Sequence, residues 1–132
     1  MHPAHSSPPD LGDIEALARL ALATIPEELR LHAAGLVIRV EDFVDEETAD
    51  EMDLESPYEL LGLYRGVSLN NKSISVSSQD VDMVFLYRRP ILDYWCETGE
   101  DLADLVRHVL IHEIGHHFGM SDEDMEAIEE QP

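Results

Sequence analysis

Residues 112–122 read HEIGHHFGMSD, and this stretch decides the fold because its histidines and acids have the spacing of a metal site on a helix. A helix turns about 100° per residue and rises ~1.5 Å, so His112 and His116 lie about 40° apart on one face and roughly 6 Å apart along the axis. Their imidazoles can therefore converge on one ion. Glu113 lies one residue round from His112, where its carboxylate would flank the metal and accept a proton from the bound water. The pattern predicts a helix that carries two metal ligands and a general base.

A third ligand is needed, because a catalytic zinc ion takes three protein ligands and keeps a fourth position open. Gly119 can adopt the left-handed conformation that ends a helix, and Asp122 follows three residues later, where its carboxylate can turn back to the ion. We therefore predict a site for one zinc ion, with His112, His116 and Asp122 as the metal ligands and Glu113 as the catalytic residue. The sequence leaves iron, cobalt and manganese open as the metal in the cell.

The stretch HEIGHHFGMSDE at residues 112–123 resembles the extended motif of metzincin peptidases, with Asp122 where most of them have a third histidine. Together with LGLYRG at 61–66 and FLYRRPIL at 85–92, it resembles more closely the small bacterial family of minimal zincin-like metallopeptidases. This resemblance is strong over the C-terminal half of the chain, whereas the first part is similar only in size and pattern. It implies a compact zincin core, a zinc ion and peptidase activity. Too little chain follows Asp122 for a metzincin Met-turn, so that role is given to neither Met120 nor Met125.

The resemblance also implies roles for the matching residues. His112, His116 and Asp122 would bind zinc, and Glu113 would deprotonate the attacking water and later protonate the leaving amine. The predicted function is zinc-dependent hydrolysis of peptide bonds in a peptide or protein substrate. The alternative is a noncatalytic, metal-stabilised module that binds peptides or proteins, which would explain a chain with little room for substrate subsites. Glu113 favours the enzyme, because a structural zinc ion has no use for a general base.

Composition limits the remaining possibilities. A chain of 132 residues with 44% hydrophobic content suits one domain with one core. A net charge of -21 with only eight Lys and Arg argues against nucleic acids and anionic membrane surfaces as partners. No stretch approaches the roughly 20 apolar residues that span a membrane. Residues 1–9 are expected to form a flexible arm without a secretory signal, residues 10–132 the domain, and the cytoplasm is the expected location. The sequence leaves the oligomeric state open.

Hydrophobic periodicity predicts an α+β domain in which a small mixed sheet packs on the active-site helix. The N-terminal elements are expected to be a helix capped by Asp10, a short helix from Pro26 to Ala34, a strand at 36–40 and a loop or short surface helix at 41–55. Extended segments are predicted at 60–69 and 74–76 around a turn at Asn70-Asn71. The resemblance to zincins implies that an edge strand pairs with the substrate, and residues 72–78, with alternating polar and apolar residues, are the candidate. A strand at 81–87 is expected to be buried on both faces. A helix at 90–96, the long histidine helix from Glu100 or Asp101, and a short helix from Ser121 complete the chain.

Several further polar residues adjoin the motif. His108 precedes His112 by one turn, where it could position a ligand or replace one, but a structural role is favoured. His117 points about 100° away from His116 and is expected to be packed or exposed. Tyr64 and Tyr87 are candidate donors to an oxyanion, and three arginines could bind a substrate carboxylate, although sheet packing and ion pairs are the favoured roles. These arginines are Arg65, Arg88 and Arg89.

Apolar residues of the histidine helix are assigned to the core, and so is the single cysteine. The helix residues are Leu105, Val109, Ile111, Ile114 and Phe118. Cys96 excludes a disulfide within the chain and is expected to be a small core residue of a protein in a reducing compartment.

Overall fold

The computed structural model describes residues 7–33, 35–65 and 82–130. The helices are α1 (Leu11–Thr24), α2 (Glu27–His32), α3 (Glu46–Glu51), α4 (Arg88–Thr98), α5 (Leu102–His117) and α6 (Asp122–Glu129). The strands are β1 (Val37–Glu41), β2 (Gly62–Arg65) and β3 (Met83–Tyr87), and a 3-10 turn covers Pro57–Glu59. The α+β class and the short C-terminal helix predicted from the sequence are confirmed.

The sheet of the described residues has three strands in the order β1-β3-β2. β3 is central, runs parallel to β1 and pairs with β2 in the antiparallel direction, so the sheet is mixed as predicted. Val84 and Leu86 are fully buried on one face of β3. The opposite face is buried at Tyr87 but only half-buried at Met83 and Phe85. The prediction of burial on both faces of this strand therefore holds completely for one face only.

α5 lies at the centre of the hydrophobic core, between α1, the sheet and α6. On α1 the buried side chains recur at helical spacing, at Ile14, Ala18 and Ala21. The N-terminus of α1 has the predicted cap, because Asp10 accepts a hydrogen bond from the Asp13 backbone N–H at 2.8 Å. Capping and periodicity thus fix α1 as an amphipathic helix that covers α5.

α5 begins and ends at local signals that the sequence contains. Asp101 caps it by accepting a hydrogen bond from the Asp104 backbone N–H at 3.0 Å. After its last residue the chain turns at Gly119, which has a φ of 76°, a left-handed conformation that costs glycine little. Ser121 then caps α6 by accepting from the Asp124 backbone N–H at 3.0 Å. The predicted break at Gly119 and the helix from Ser121 are both confirmed.

α6 packs onto α5 at a point where α5 lacks a side chain. A Cβ added to Gly115 would lie 2.8 Å from the Cγ of Met125, which is completely buried. At the end of α6, the Arg107 guanidinium donates to the backbone oxygens of Ile128 at 3.3 Å and Glu129 at 3.0 Å. These contacts hold the middle and the end of α6 against α5.

Two core assignments from the sequence are wrong. Cys96 is exposed, because it lies on the outward face of α4, whose buried residues are Pro90 and Ile91. Phe118 is 37% exposed, because it follows the last residue of α5 as its C-cap, where its ring contacts Tyr64 and His117. Helical spacing predicts burial only while the helix continues.

Some predicted boundaries differ from those observed, and others cannot be compared. α4 begins at Arg88, two residues before Pro90, because β3 leads directly into it and proline is tolerated in a first helical turn. The acidic stretch contains a short helix, α3, capped by Asp45. The turn at Asn70-Asn71, the extended segment at 74–76 and the candidate edge strand at 72–78 lie outside the described residues.

Among the helices in the described ranges, none has both the length and the apolar content that crossing a membrane requires.

Candidate metal centre

Three histidines of α5, His108, His112 and His116, share one face because the opposite face is anchored in the core. Leu110, Ile111 and Ile114 are completely buried, which fixes the rotation of the helix about its axis. His112 and His116 are consequently directed toward α6 and solvent, with ring centroids 5.8 Å apart. The two predicted histidine ligands are therefore neighbours on one surface, as their spacing requires.

Asp122 lies beside His116. Its Oδ1 is 3.8 Å from the His116 Nε2, and both side chains face solvent, at 83% and 58% exposure. Asp122 is the first residue of α6, which the turn at Gly119 brings back toward α5. The structure thus brings two of the three predicted ligands to within 3.8 Å of each other.

His112 has a different partner, the carboxylate of Glu129. The His112 Nε2 is 2.7 Å from the Glu129 Oε2, and the His108 Nδ1 is 2.6 Å from the Glu129 Oε1. Within the described ranges, His108, His112 and Glu129 form a group whose ligand atoms all lie within 4.8 Å of one another. The structure therefore joins His112 to this group and leaves His116 with Asp122.

Glu129 was not singled out from the sequence, although a signal for it exists. It follows Asp122 by seven residues, which is two helical turns, so both carboxylates lie on the same side of α6. His108 lies one turn before His112 on α5. Two helices packed side by side therefore place one carboxylate opposite each end of the histidine row.

Glu113 is held between α5 and the sheet. Its Oε1 accepts a hydrogen bond from the Tyr64 backbone N–H at 3.2 Å. Burial raises the pKa of this carboxyl above its usual range, and the bond from Tyr64 opposes that shift only in part. A carboxylate in such surroundings accepts a proton more readily than an exposed one, as a general base must.

The close approach of β2 to α5 depends on Gly62. A Cβ at this position would lie 2.7 Å from the Cγ1 of Val109 and 3.3 Å from the Cγ of Glu113. It would also lie 3.2 Å from the backbone oxygen of Phe85 on β3. A side chain on this residue would therefore push the strand away from the helix that carries Glu113.

Tyr64 contributes its ring as well as its backbone. The ring stacks on His117 with centroids 3.9 Å apart, and its hydroxyl donates to the Asp82 Oδ2 at 2.8 Å. Burial and the neighbouring Asp82 raise the pKa of this hydroxyl well above its usual range. Tyr87 is buried in the sheet, and burial together with Glu41 raises its pKa to about 12. Both hydroxyls are neutral at physiological pH.

The arginines near the sheet make structural contacts, which is the role favoured from the sequence. Arg65 donates to the Thr48 hydroxyl at 2.6 Å. Arg88 donates to the backbone oxygen of Pro9 at 2.7 Å and pairs with Asp42 at 3.0 Å. Arg89 lies over the Phe43 ring, 5.6 Å from its centroid.

The residues present fit a zinc ion by their chemistry. Imidazole nitrogens and carboxylate oxygens are the donors zinc prefers, and three of them with an open position make a catalytic site. His112, His116 and Asp122 are such a set, provided that His112 turns from Glu129. His108, His112 and Glu129 are a second set of the same kind.

The comparison with family models found a match. The model of the zincin-like metallopeptidases matches residues 33–131, which includes the sheet, α5 and α6. A search among curated proteins found no significant match.

Proposed function

The chain belongs to the zincin-like metallopeptidase family, and from this premise we propose that it hydrolyses peptide bonds with one zinc ion as cofactor and Glu113 as general base. The metal ligands in this proposal are His112, His116 and Asp122. The cytoplasmic location stays a prediction from composition. The observation that carries the proposal is the position of the Glu113 carboxylate on α5, where it accepts a hydrogen bond from the backbone N–H of Tyr64 on β2.

β2 is suited to bind an extended peptide, because among the described strands it has a neighbour on one side only. The Tyr87 N–H donates to the Leu61 oxygen at 2.9 Å, which puts Leu61 in a bonded pair with β3. Bonded and non-bonded pairs alternate in antiparallel strands, so the backbone groups of Gly62 and Tyr64 point the other way. Glu113 already accepts the Tyr64 N–H on this side. A substrate strand added here would lie next to the general base.

When bound, a zinc ion supplies Lewis-acid chemistry, in that it polarises the scissile carbonyl and acidifies a water molecule. The chain's own residue for proton transfer is Glu113. Its carboxylate would take the proton from the attacking water and return it to the leaving amine, so that it ends the reaction in its original state. Partial burial keeps this carboxylate from being fully solvated, which favours proton uptake.

The test uses Glu113→Gln, which keeps the size of the side chain and its ability to accept the Tyr64 N–H but removes the base. We expect the zinc content of the variant to equal that of the original protein, while hydrolysis of a mixed peptide library falls by about 10²- to 10⁴-fold. The matched control is Glu126→Gln, the same change at an exposed residue of α6. This control should leave both zinc content and hydrolysis unchanged.

Two outcomes would contradict the proposal. If the protein binds zinc and cleaves no peptide, the alternative of a noncatalytic, metal-stabilised binding module takes its place. If Glu113→Gln cleaves peptides as fast as the original protein, another residue is the base. Asp122→Asn is assayed alongside for peptide hydrolysis, because an unchanged rate would exclude Asp122 as the third ligand of the catalytic zinc ion.

A further inference from the structure

The carboxylate of Glu129 joins two histidines of α5 with both of its oxygens. It lies 2.6 Å from the His108 Nδ1 through Oε1 and 2.7 Å from the His112 Nε2 through Oε2. The two imidazoles lie close to each other, with ring centroids 4.1 Å apart and planes inclined by 34°. Three ligand atoms therefore already converge on one small volume.

This cluster is supported by the packing of α6 and is not a chance contact of a loose side chain. Met125 and Ile128 bury against α5, and Arg107 binds the backbone oxygens of Ile128 and Glu129. The Glu129 side chain is 22% exposed and that of His112 is 21% exposed. The helix end that presents the carboxylate is thus held to α5 by two buried side chains and two hydrogen bonds.

We propose that His108, His112 and Glu129 form a second divalent metal site, of the kind that binds zinc or cobalt, and that it shares His112 with the proposed site of His112, His116 and Asp122. Two nitrogens and a carboxylate oxygen satisfy the donor preference of zinc. A ligand nitrogen must be unprotonated, so a metal ion competes with protons for the two imidazoles. The second site does not require that the protein be a peptidase.

Sharing His112 makes the two sites mutually exclusive. The Nε2 of His112 has one lone pair and serves one ion, and without it each site keeps only two ligands. His116 and Asp122 alone, or His108 and Glu129 alone, fall below the three protein ligands of a stable zinc site. The chain therefore holds a single ion, distributed between an ion position near Asp122 and one near Glu129.

The experiment is a titration of the metal-free full chain with Co²⁺, followed by its visible absorption and by dialysis for stoichiometry. His116→Asn with Asp122→Asn disables the proposed peptidase site, and His108→Asn with Glu129→Gln disables the second site. We expect each double variant to bind a single Co²⁺, with different spectra. We expect His112→Asn to weaken binding by more than the roughly 10- to 100-fold that loss of a positioning group costs.

Single variants and a control guard against unfolding. His108→Asn changes a half-exposed side chain and leaves the bond between His112 and Glu129 in place. Added to the His116→Asn and Asp122→Asn changes, it should abolish the remaining Co²⁺ binding. Glu130→Gln changes an exposed neighbour of Glu129 and should alter nothing. Far-ultraviolet circular dichroism checks that each variant keeps its helices.

The outcomes separate the second site from the proposed function. If the variant without His116 and Asp122 binds no Co²⁺ while the variant without His108 and Glu129 still does, the second site is refuted and the peptidase site stands. The reverse result refutes the peptidase site and keeps the second one. Two ions bound to the original protein would overturn the sharing of His112.

Discussion

Gly115 offers the sharpest test of how α6 is held against the histidine helix. Replacing it with alanine has two opposite effects on the free energy of unfolding. In a helix interior, alanine is favoured over glycine by about 1 kcal/mol. The added Cβ, however, would lie 2.8 Å from the Met125 Cγ, and Met125 is fully buried and has little freedom to move. Such overpacking costs about 1–3 kcal/mol.

The difference between these terms predicts that Gly115→Ala lowers the stability by about 0–2 kcal/mol. Met125→Ala should by itself cost about 2–5 kcal/mol, because it removes a buried side chain. In that background the obstacle to the new methyl group is gone, so Gly115→Ala should raise the stability by up to about 1 kcal/mol. The sign of the glycine substitution therefore depends on residue 125.

The assay is urea unfolding of the metal-free protein, followed by circular dichroism, for the two single variants and the double variant. Gly12→Ala is the matched control, because a Cβ at Gly12 in α1 would meet only the Asp10 Oδ1, at an ordinary 3.4 Å. It should not destabilise the protein. If Gly115→Ala raises the stability equally in the original protein and in the Met125→Ala variant, α6 does not pack on α5 as described.

Three further predictions concern the surroundings of the site. Burial raises the pKa of Glu113 in the folded protein above its unfolded value near 4.5. The stability that the protonated Glu113 contributes is therefore fully present below the unfolded pKa and is lost as the pH rises through the folded pKa. Metal-free Glu113→Gln should therefore match the original protein at about pH 4 and exceed it in urea resistance at about pH 8, and equal stability at both would contradict this. Gly62→Ala should lower the thermal midpoint and the peptidase rate together, because β2 must move from α5; an unchanged rate would show that the spacing of β2 is unimportant. Ser121→Ala removes the cap of α6 and should cost about 1 kcal/mol in urea unfolding with weaker Co²⁺ binding, whereas unchanged values would mean that the cap is dispensable.

Local signals predicted the elements that form the site. His112 and His116 lie on one face, where they can bind one ion, only if this stretch is a helix. Asp101 marks where that helix begins, and Gly119 marks where the chain turns after it. Ser121 marks the start of α6 in the same way. Each of these signals acts within one or two helical turns, which is why a single sequence is enough to recognise it.

Errors and omissions occurred where the outcome depends on distant residues. Cys96 and Phe118 were assigned to the core by their type and spacing, but their exposure is set by where α4 and the end of α5 meet other elements. The seven-residue spacing of Asp122 and Glu129 puts both carboxylates on one side of α6, but only the packing of α6 on α5 decides which histidine each of them meets. The bond from Tyr64 to Glu113 joins residues 49 positions apart.

The sequence by itself determined the α+β class, the helix that carries the motif and the chemical nature of the donors, because hydrophobic period, caps and residue type are local properties. Only the tertiary structure decided which donors meet. The absence of a side chain at Gly115 lets Met125 approach α5, and this contact sets how α6 lies on the histidine face. That packing pairs His112 with Glu129 and His116 with Asp122. The pairing depends on the angle and depth of two packed helices, which no spacing within either helix specifies.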